Sequence, residues 1–322
     1  MIKPIKKRQR LDTVPDSQTL SLLVVRGDLD TGLQIYIRQV LRDGPPLARL
    51  DISWPNELSV VSRPEEGGLR IFNPLHLEVV RVFDQTSLHR LYDMLQSFPG
   101  EFAEDNTIAF IHPSIYKTDL PSQLREVKDI CYSFQVGGNY LADHRLHTLR
   151  STIRRLLGSS TQASSFPETL AYAQSIILAQ IIRLLACSDP DADQIERDNE
   201  AMWALTHTLW QNAPTQLPST LSPWQAWLFS ESVRRTILVC NILLAVYSSL
   251  KRGYTIHSLC IEALPFDLRT QLWDARTEQE WDVAAARTKS PALVTLSQFT
   301  ALSWGINGGS RFEDLLVLAF GK

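Results

Sequence analysis

Few residue types in this sequence stand at spacings that could do chemistry, and the clearest group is Glu231, Arg234 and Arg235. Their separations of three and four put the acid and both cations on one helical face, where a local ion pair is the plain reading. The functional reading places Glu231 or Arg234, with Trp224 and Trp227 earlier on the same helix, at the rim of an apolar ligand pocket. Trp273, Trp281 and Trp304 suit either a pocket wall or a core, and aromatic content does not separate the two. His144 and His147 share a face at a spacing of three, without an accompanying Glu and beside Arg145 and Arg150, which disfavours a metal. Cys131, Cys187, Cys240 and Cys260 have no close pair and lie in or beside apolar runs, so they read as small buried hydrophobes. No G-x-S-x-G elbow, P-loop or dinucleotide fingerprint occurs. No catalytic residue, metal site or cofactor is therefore assigned.

One further motif has a specific reading. The first ten residues carry Lys3, Lys6, Lys7, Arg8 and Arg10 and no acid, although the net charge of the chain is −3. Lys6, Lys7, Arg8 and Arg10 fit a short nuclear-import signal, and a solvated basic tail is the alternative. Leu11 is followed by Asp12, Thr13, Pro15 and Asp16 rather than by an apolar run, which argues against a signal peptide.

These residues must be positioned by helices. The chain has 322 residues, 44% hydrophobic and 21% charged, the composition of a globular protein of one large or two closely packed domains. Residues 1–84 are expected to form a basic tail and an irregular segment, because Gly44, Pro45, Pro46, Pro55, Pro64, Gly67, Gly68 and Pro74 forbid any long element. Thr19–Arg26 reads as a strand or the start of a helix, Leu33–Leu41 as an amphipathic helix, and Leu58–Val61 and Leu69–Phe72 as extended. Residues 85–322 are expected to be all-α and multi-helical.

Apolar periodicity predicts helices at Gln85–Phe98, from Pro121 to about Phe134, and at Tyr140–Leu157. Further helices are predicted at Pro167–Cys187, from Asp189–Pro190 through Trp210, and from Ser222–Pro223 to about Lys251. Shorter ones follow at Leu268–Asp274, Glu278–Arg287, Ala292–Ser303 and Phe312–Phe320. Pro99–Gly100 is read as the end of the first, and Gly158–Ser165 as a flexible linker. The longest apolar run, Thr236–Leu250, covers about 22 Å against the ~30 Å of a bilayer core, so it reads as a buried core helix and no membrane association is expected.

From about residue 85 onward the chain resembles the regulatory, fungal-specific domain of the fungal binuclear zinc-cluster transcription factors. The residues that carry the likeness are Pro223-Trp-Gln-Ala-Trp227, Glu231-Ser-Val-Arg-Arg-Thr236, Lys251-Arg-Gly253, Ala263-Leu-Pro265, Leu272-Trp-Asp-Ala275, Trp281 and Phe312-Glu-Asp-Leu-Leu316. Gln96-Ser-Phe-Pro99 and Phe110-Ile-His-Pro113 look like the start of that domain. The resemblance implies an all-helical regulatory domain acting in the nucleus, often on genes of secondary metabolism. It departs from the family at one point: no cysteine precedes Cys131, so no ligands of the six-cysteine DNA-binding cluster can be carried over. Two functions follow. One is a transcription regulator that reaches DNA indirectly through a transcription-factor partner. The other is a repurposed helical domain that binds a small apolar metabolite and steers a cofactor-free cyclisation by holding its shape.

Overall fold

A computed structural model of the chain describes residues 20–25, 77–116, 119–136, 142–216, 221–258, 261, 264–267, 269, 271–287, 293–296, 298–299 and 310–321. They are mostly helical, as expected. In chain order the elements are β1 (Leu20–Val25), β2 (Leu77–Val82), α1 (Gln85–Asp105), α2 (Ser122–Val136), α3 (Ala142–Ser160) and α4 (Phe166–Ile181). They continue with α5 (Ala192–Gln216), α6 (Pro223–Arg252), β3 (Thr255–Ser258), β4 (Pro265–Asp267), α7 (Gln271–Asp274), α8 (Glu278–Arg287), β5 (Leu293–Thr295) and α9 (Arg311–Phe320).

Helix α4 is the axis of the bundle. Ser165 caps it, accepting from the Glu168 N–H, and from Leu170 to Ile181 nearly every side chain is buried. A helix apolar all round cannot face water on any side, and α1, α2, α3, α5 and α6 surround it. It continues into one π-helical turn, Ile182–Ala186, which carries the buried Arg183. Helix α6 packs on α4, α5 and α1. Its ends are set locally: Ser222 and Gln225 form a capping box, Pro223 stands at the first position, and Gly253 closes the helix at φ 85°. With its π turn α4 reaches the length and hydropathy of a membrane span, as does α6, yet 78% and 72% of those windows are buried inside the protein. That is the packing of core helices.

Local breakers proved weaker than tertiary packing at two places. Helix α1 does not stop at Pro99–Gly100 but runs through Pro99 to Asp105, ending at Asn106 in the left-handed region. Proline there costs about 3 kcal/mol, against which Leu91, Leu95, Phe98 and Phe102 continue one fully buried stripe on both sides of it. Likewise α3 extends through Gly158 to Ser160, so the linker shrinks to a short turn before Ser165.

Short strands accompany the helices. Within the stretch read as a strand or the start of a helix, Leu20–Val25 form strand β1. Leu77–Val82, within the segment expected to be irregular, forms β2, and β1-β2-β3 make an antiparallel sheet with Leu22 opposite Val80 and Val80 opposite Ile256. Residues 265–267 form β4 just ahead of a shorter α7, and residues 293–295, expected as helix, form β5 against it. Each is short, and its partner is remote in sequence, so nothing local specifies it. Leu33–Leu41, Leu58–Val61 and Leu69–Phe72 lie outside the described residues. In β2, buried Arg81 donates to the carbonyls of Ala319 and Phe320, tying the sheet to the end of α9.

Candidate functional site

The Glu231 group exists as a buried cluster. Glu231 Oε1 accepts from Arg235 Nε at 3.0 Å and its Oε2 from Arg234 Nη1 at 3.2 Å. Glu231 and Arg235 are buried, while the Arg234 side chain is partly exposed. The single carboxylate therefore serves two cations. Arg235 is held further by its Nη1, which donates to the Ala109 carbonyl at 3.0 Å. Its guanidinium lies between two rings, 4.0 Å from the Trp273 centroid and 4.3 Å from that of Phe312. Burial pushes its pKa down, and Glu231, then Asp274 and Glu313 through space, oppose that.

The two tryptophans of α6 face a small second core. Trp224 packs with Leu228, Ile115 and Trp273. Trp227 donates its indole N–H to Asp267 Oδ2 at 2.8 Å, with Trp281 6.1 Å away ring to ring. Arg269 grips the same Asp267 through Nε and Nη2, and these bonds hold its carboxyl below the usual range against the opposing effect of burial.

Beside Arg235 the fold leaves a cleft of about 310 Å³. Ile108, Ala109, His112, Arg235, Trp273 and Phe312 wall it, and the exposed Asp105, Asp274, Arg276 and Arg311 also line it. Trp224, Trp227, Glu231 and Arg234 are not among its walls. The residue next to a predicted one, Arg235, is. Ala109, Trp273 and Phe312 reach Arg235 from other elements.

His112 is buried in the same wall. Its Nδ1 accepts the Ser114 N–H at 3.1 Å, which places the ring proton on Nε2. Its pKa is pushed down to about 4, by burial first, then by Arg276 and Arg235, with the carbonyls of Trp273 and Ala275 pulling the other way.

Two other clefts carry less chemistry. A groove of about 520 Å³ between α3, α4 and α5 has no charged wall residue. Its hydroxyls bond locally, as Ser160 does to the Leu157 carbonyl and Thr208 to that of Ala204. A third of about 460 Å³ lies between Pro99, Cys131 and the π turn, where burial pushes the Cys131 thiol up to about 12.

Among the described residues no three His, Cys, Asp or Glu side chains gather as metal ligands. Cys131 and Cys240 are buried thiols, Cys187 is half-buried, and Cys260 lies outside the described residues. His144 and His147 are exposed on α3. The basic residues Lys6, Lys7, Arg8 and Arg10 also lie outside the described residues.

Over 207 residues the chain is 27% identical to the transcription factor gsfR2 of Penicillium aethiopicum, covering 58% of this chain and 48% of that protein. The chain thus spans about half the length of that relative. No family model matches it, and no solved structure does. The chain is related to a fungal transcription factor.

Proposed function

We propose that this protein regulates transcription in the fungal nucleus, acting on secondary-metabolite genes and reaching DNA through a transcription-factor partner. The observation that carries the reading is the likeness over 207 residues to a fungal transcription factor. A mostly helical fold suits a regulatory role, because a helical bundle offers faces for other proteins without needing a reaction centre. The basic run Lys6, Lys7, Arg8 and Arg10 supplies a route into the nucleus. DNA contact is assigned to the partner because the net charge of these 322 residues is negative, which disfavours their direct binding to DNA.

Deletion of the gene in its host, with transcripts and metabolites measured together, tests the reading. Loss of transcripts from a metabolite gene cluster supports it, and co-precipitation then identifies the partner. Unchanged transcripts with accumulation of a pathway intermediate overturn it. Changing Lys6, Lys7, Arg8 and Arg10 to Ala in a fluorescent fusion is expected to move the protein from nucleus to cytoplasm.

A further inference from the structure

The cleft beside Arg235 has a charge arrangement that its own ion pairs do not complete. Glu231 divides its two oxygens between Arg234 and Arg235. Arg235 spends Nε on Glu231 and Nη1 on the Ala109 carbonyl, and Trp273 and Phe312 cover its two faces. Only its Nη2 stays outside these contacts, and a guanidinium N–H left over in this way suits a carboxylate better than any neutral group. A buried cation in an apolar wall of Ile108, Ala109, Trp273 and Phe312 is costly unless well partnered.

The outer part of the cleft has the opposite sign. Arg311 is paired with Glu101, which removes both from the account. Of the remaining exposed lining residues, Asp105 and Asp274 are acidic and Arg276 is basic; none of the three makes a direct salt bridge among the described residues, and Asp274 acts on Arg235 only through space. The mouth is thus net negative and the floor positive. A dianion would meet Asp105 and Asp274, and a plain cation would meet Arg235.

We infer that this cleft binds a small zwitterionic metabolite, its carboxylate on Nη2 of Arg235 and its ammonium against Asp105 and Asp274. The inference rests on the cleft alone and stands or falls separately from the transcriptional reading. About 310 Å³ admits a molecule of one ring or a short branched chain with a charge at each end.

The test is calorimetric titration of the full chain with three probes: 4-(aminomethyl)benzoate, benzoate and benzylamine. The zwitterion is expected to bind tightest and benzylamine weakest, with about tenfold between those two, the size of one charge-assisted bond. In the double variant Asp105→Asn with Asp274→Asn, both sites being exposed, the advantage of 4-(aminomethyl)benzoate over benzoate disappears while benzoate binding is kept or improved. Arg235→Lys weakens both carboxylate probes, and if that variant fails to fold, the aspartate pair decides alone. Benzylamine binding as well as benzoate, no saturable heat from either carboxylate at millimolar concentration, or an unchanged preference in the double variant each overturns the inference.

Discussion

Arg183 and Arg235 are both fully buried guanidiniums, one in the π turn that ends α4 and the other on α6, and they are neutralised in different ways. Arg183 donates from Nε to Asp189 at 2.6 Å and from Nη1 to Asp198 at 2.5 Å. Arg150 adds a second cation on Asp189 and Gln194 a further donor on Asp198, so two cations meet two carboxylates in a knot that joins α3, α4 and α5. Arg235 shares one carboxylate with Arg234 and leans on aromatic faces instead. The first arrangement balances two cations with two carboxylates, although Arg183 Nη2 is buried without a hydrogen-bond partner, and it opens on no described cleft. The second is left incomplete where a cleft begins. Burial of a charge therefore marks a structural tie in one place and a candidate site in another, and the count of carboxylates bonded directly to the cations separates them.

The largest test of this contrast is Arg183→Met. It leaves Asp198 buried with Gln194 as its remaining side-chain partner, and uncompensated buried charges of this kind cost about 3–5 kcal/mol. Urea unfolding measures it, and a loss under about 1 kcal/mol would remove the distinction between tie and site.

Acid should separate the two regions next. The folded pKa of His112, about 4, lies below the ordinary 6.5, so the unfolded chain takes up the proton first. Stability is then lost as pH falls from 6.5 to about 4, by roughly 3 kcal/mol in full, and His112→Phe flattens that slope in pH-dependent unfolding. Asp189 behaves later. Despite its burial, bonds from Arg150, the Asp191 N–H and Arg183 hold its carboxyl well below the usual range. Its contribution is present above the unfolded value of 3.8 and fades only as pH falls below it. The cleft side is expected to loosen before the knot, as backbone protection by hydrogen exchange at each pH will show.

Arg235→Met comes third. Glu231 keeps Arg234, and Met preserves some packing between Trp273 and Phe312, so the loss is mainly the bonds to Glu231 and the Ala109 carbonyl. About 1–3 kcal/mol is expected by urea unfolding, less than for Arg183→Met. A larger loss than at Arg183 would make Arg235 the stronger tie of the two and reverse the comparison.

Legibility in the sequence followed the range of the forces involved. The start of α6 at Ser222-Pro-Trp-Gln225 and the bounds of α8 at Glu278–Arg287 were readable because capping and charge act within one turn. The pairing of Glu231 with Arg234 and Arg235 was readable because helical spacing alone creates it. Pro99 misled because its effect is also local, whereas the stripe that overrides it is buried by other helices. Strands β2 and β3 are too short to announce themselves without their distant partners. The same holds for the cleft, since Ala109, Trp273 and Phe312 reach Arg235 from three separate segments. The Arg183 knot left no trace either, as Arg150, Arg183, Asp189 and Asp198 show no motif spacing.

The sharpest control has the smallest effect. Glu196 accepts from both Lys251 and Arg252, at 2.8 and 3.1 Å, which repeats at the surface the pattern of one carboxylate and two cations seen at Glu231. All three side chains are substantially exposed, so water and salt screen the attraction and repay most of its loss. Glu196→Gln is expected to change stability by less than about 1 kcal/mol, and that difference should shrink further in molar salt. If the shared carboxylate at the surface cost as much as Arg235→Met, the pattern of charges would matter more than burial. If it costs little, the weight of the Glu231 cluster comes from its removal from water, and a shared carboxylate points to a binding site only where the fold also buries it.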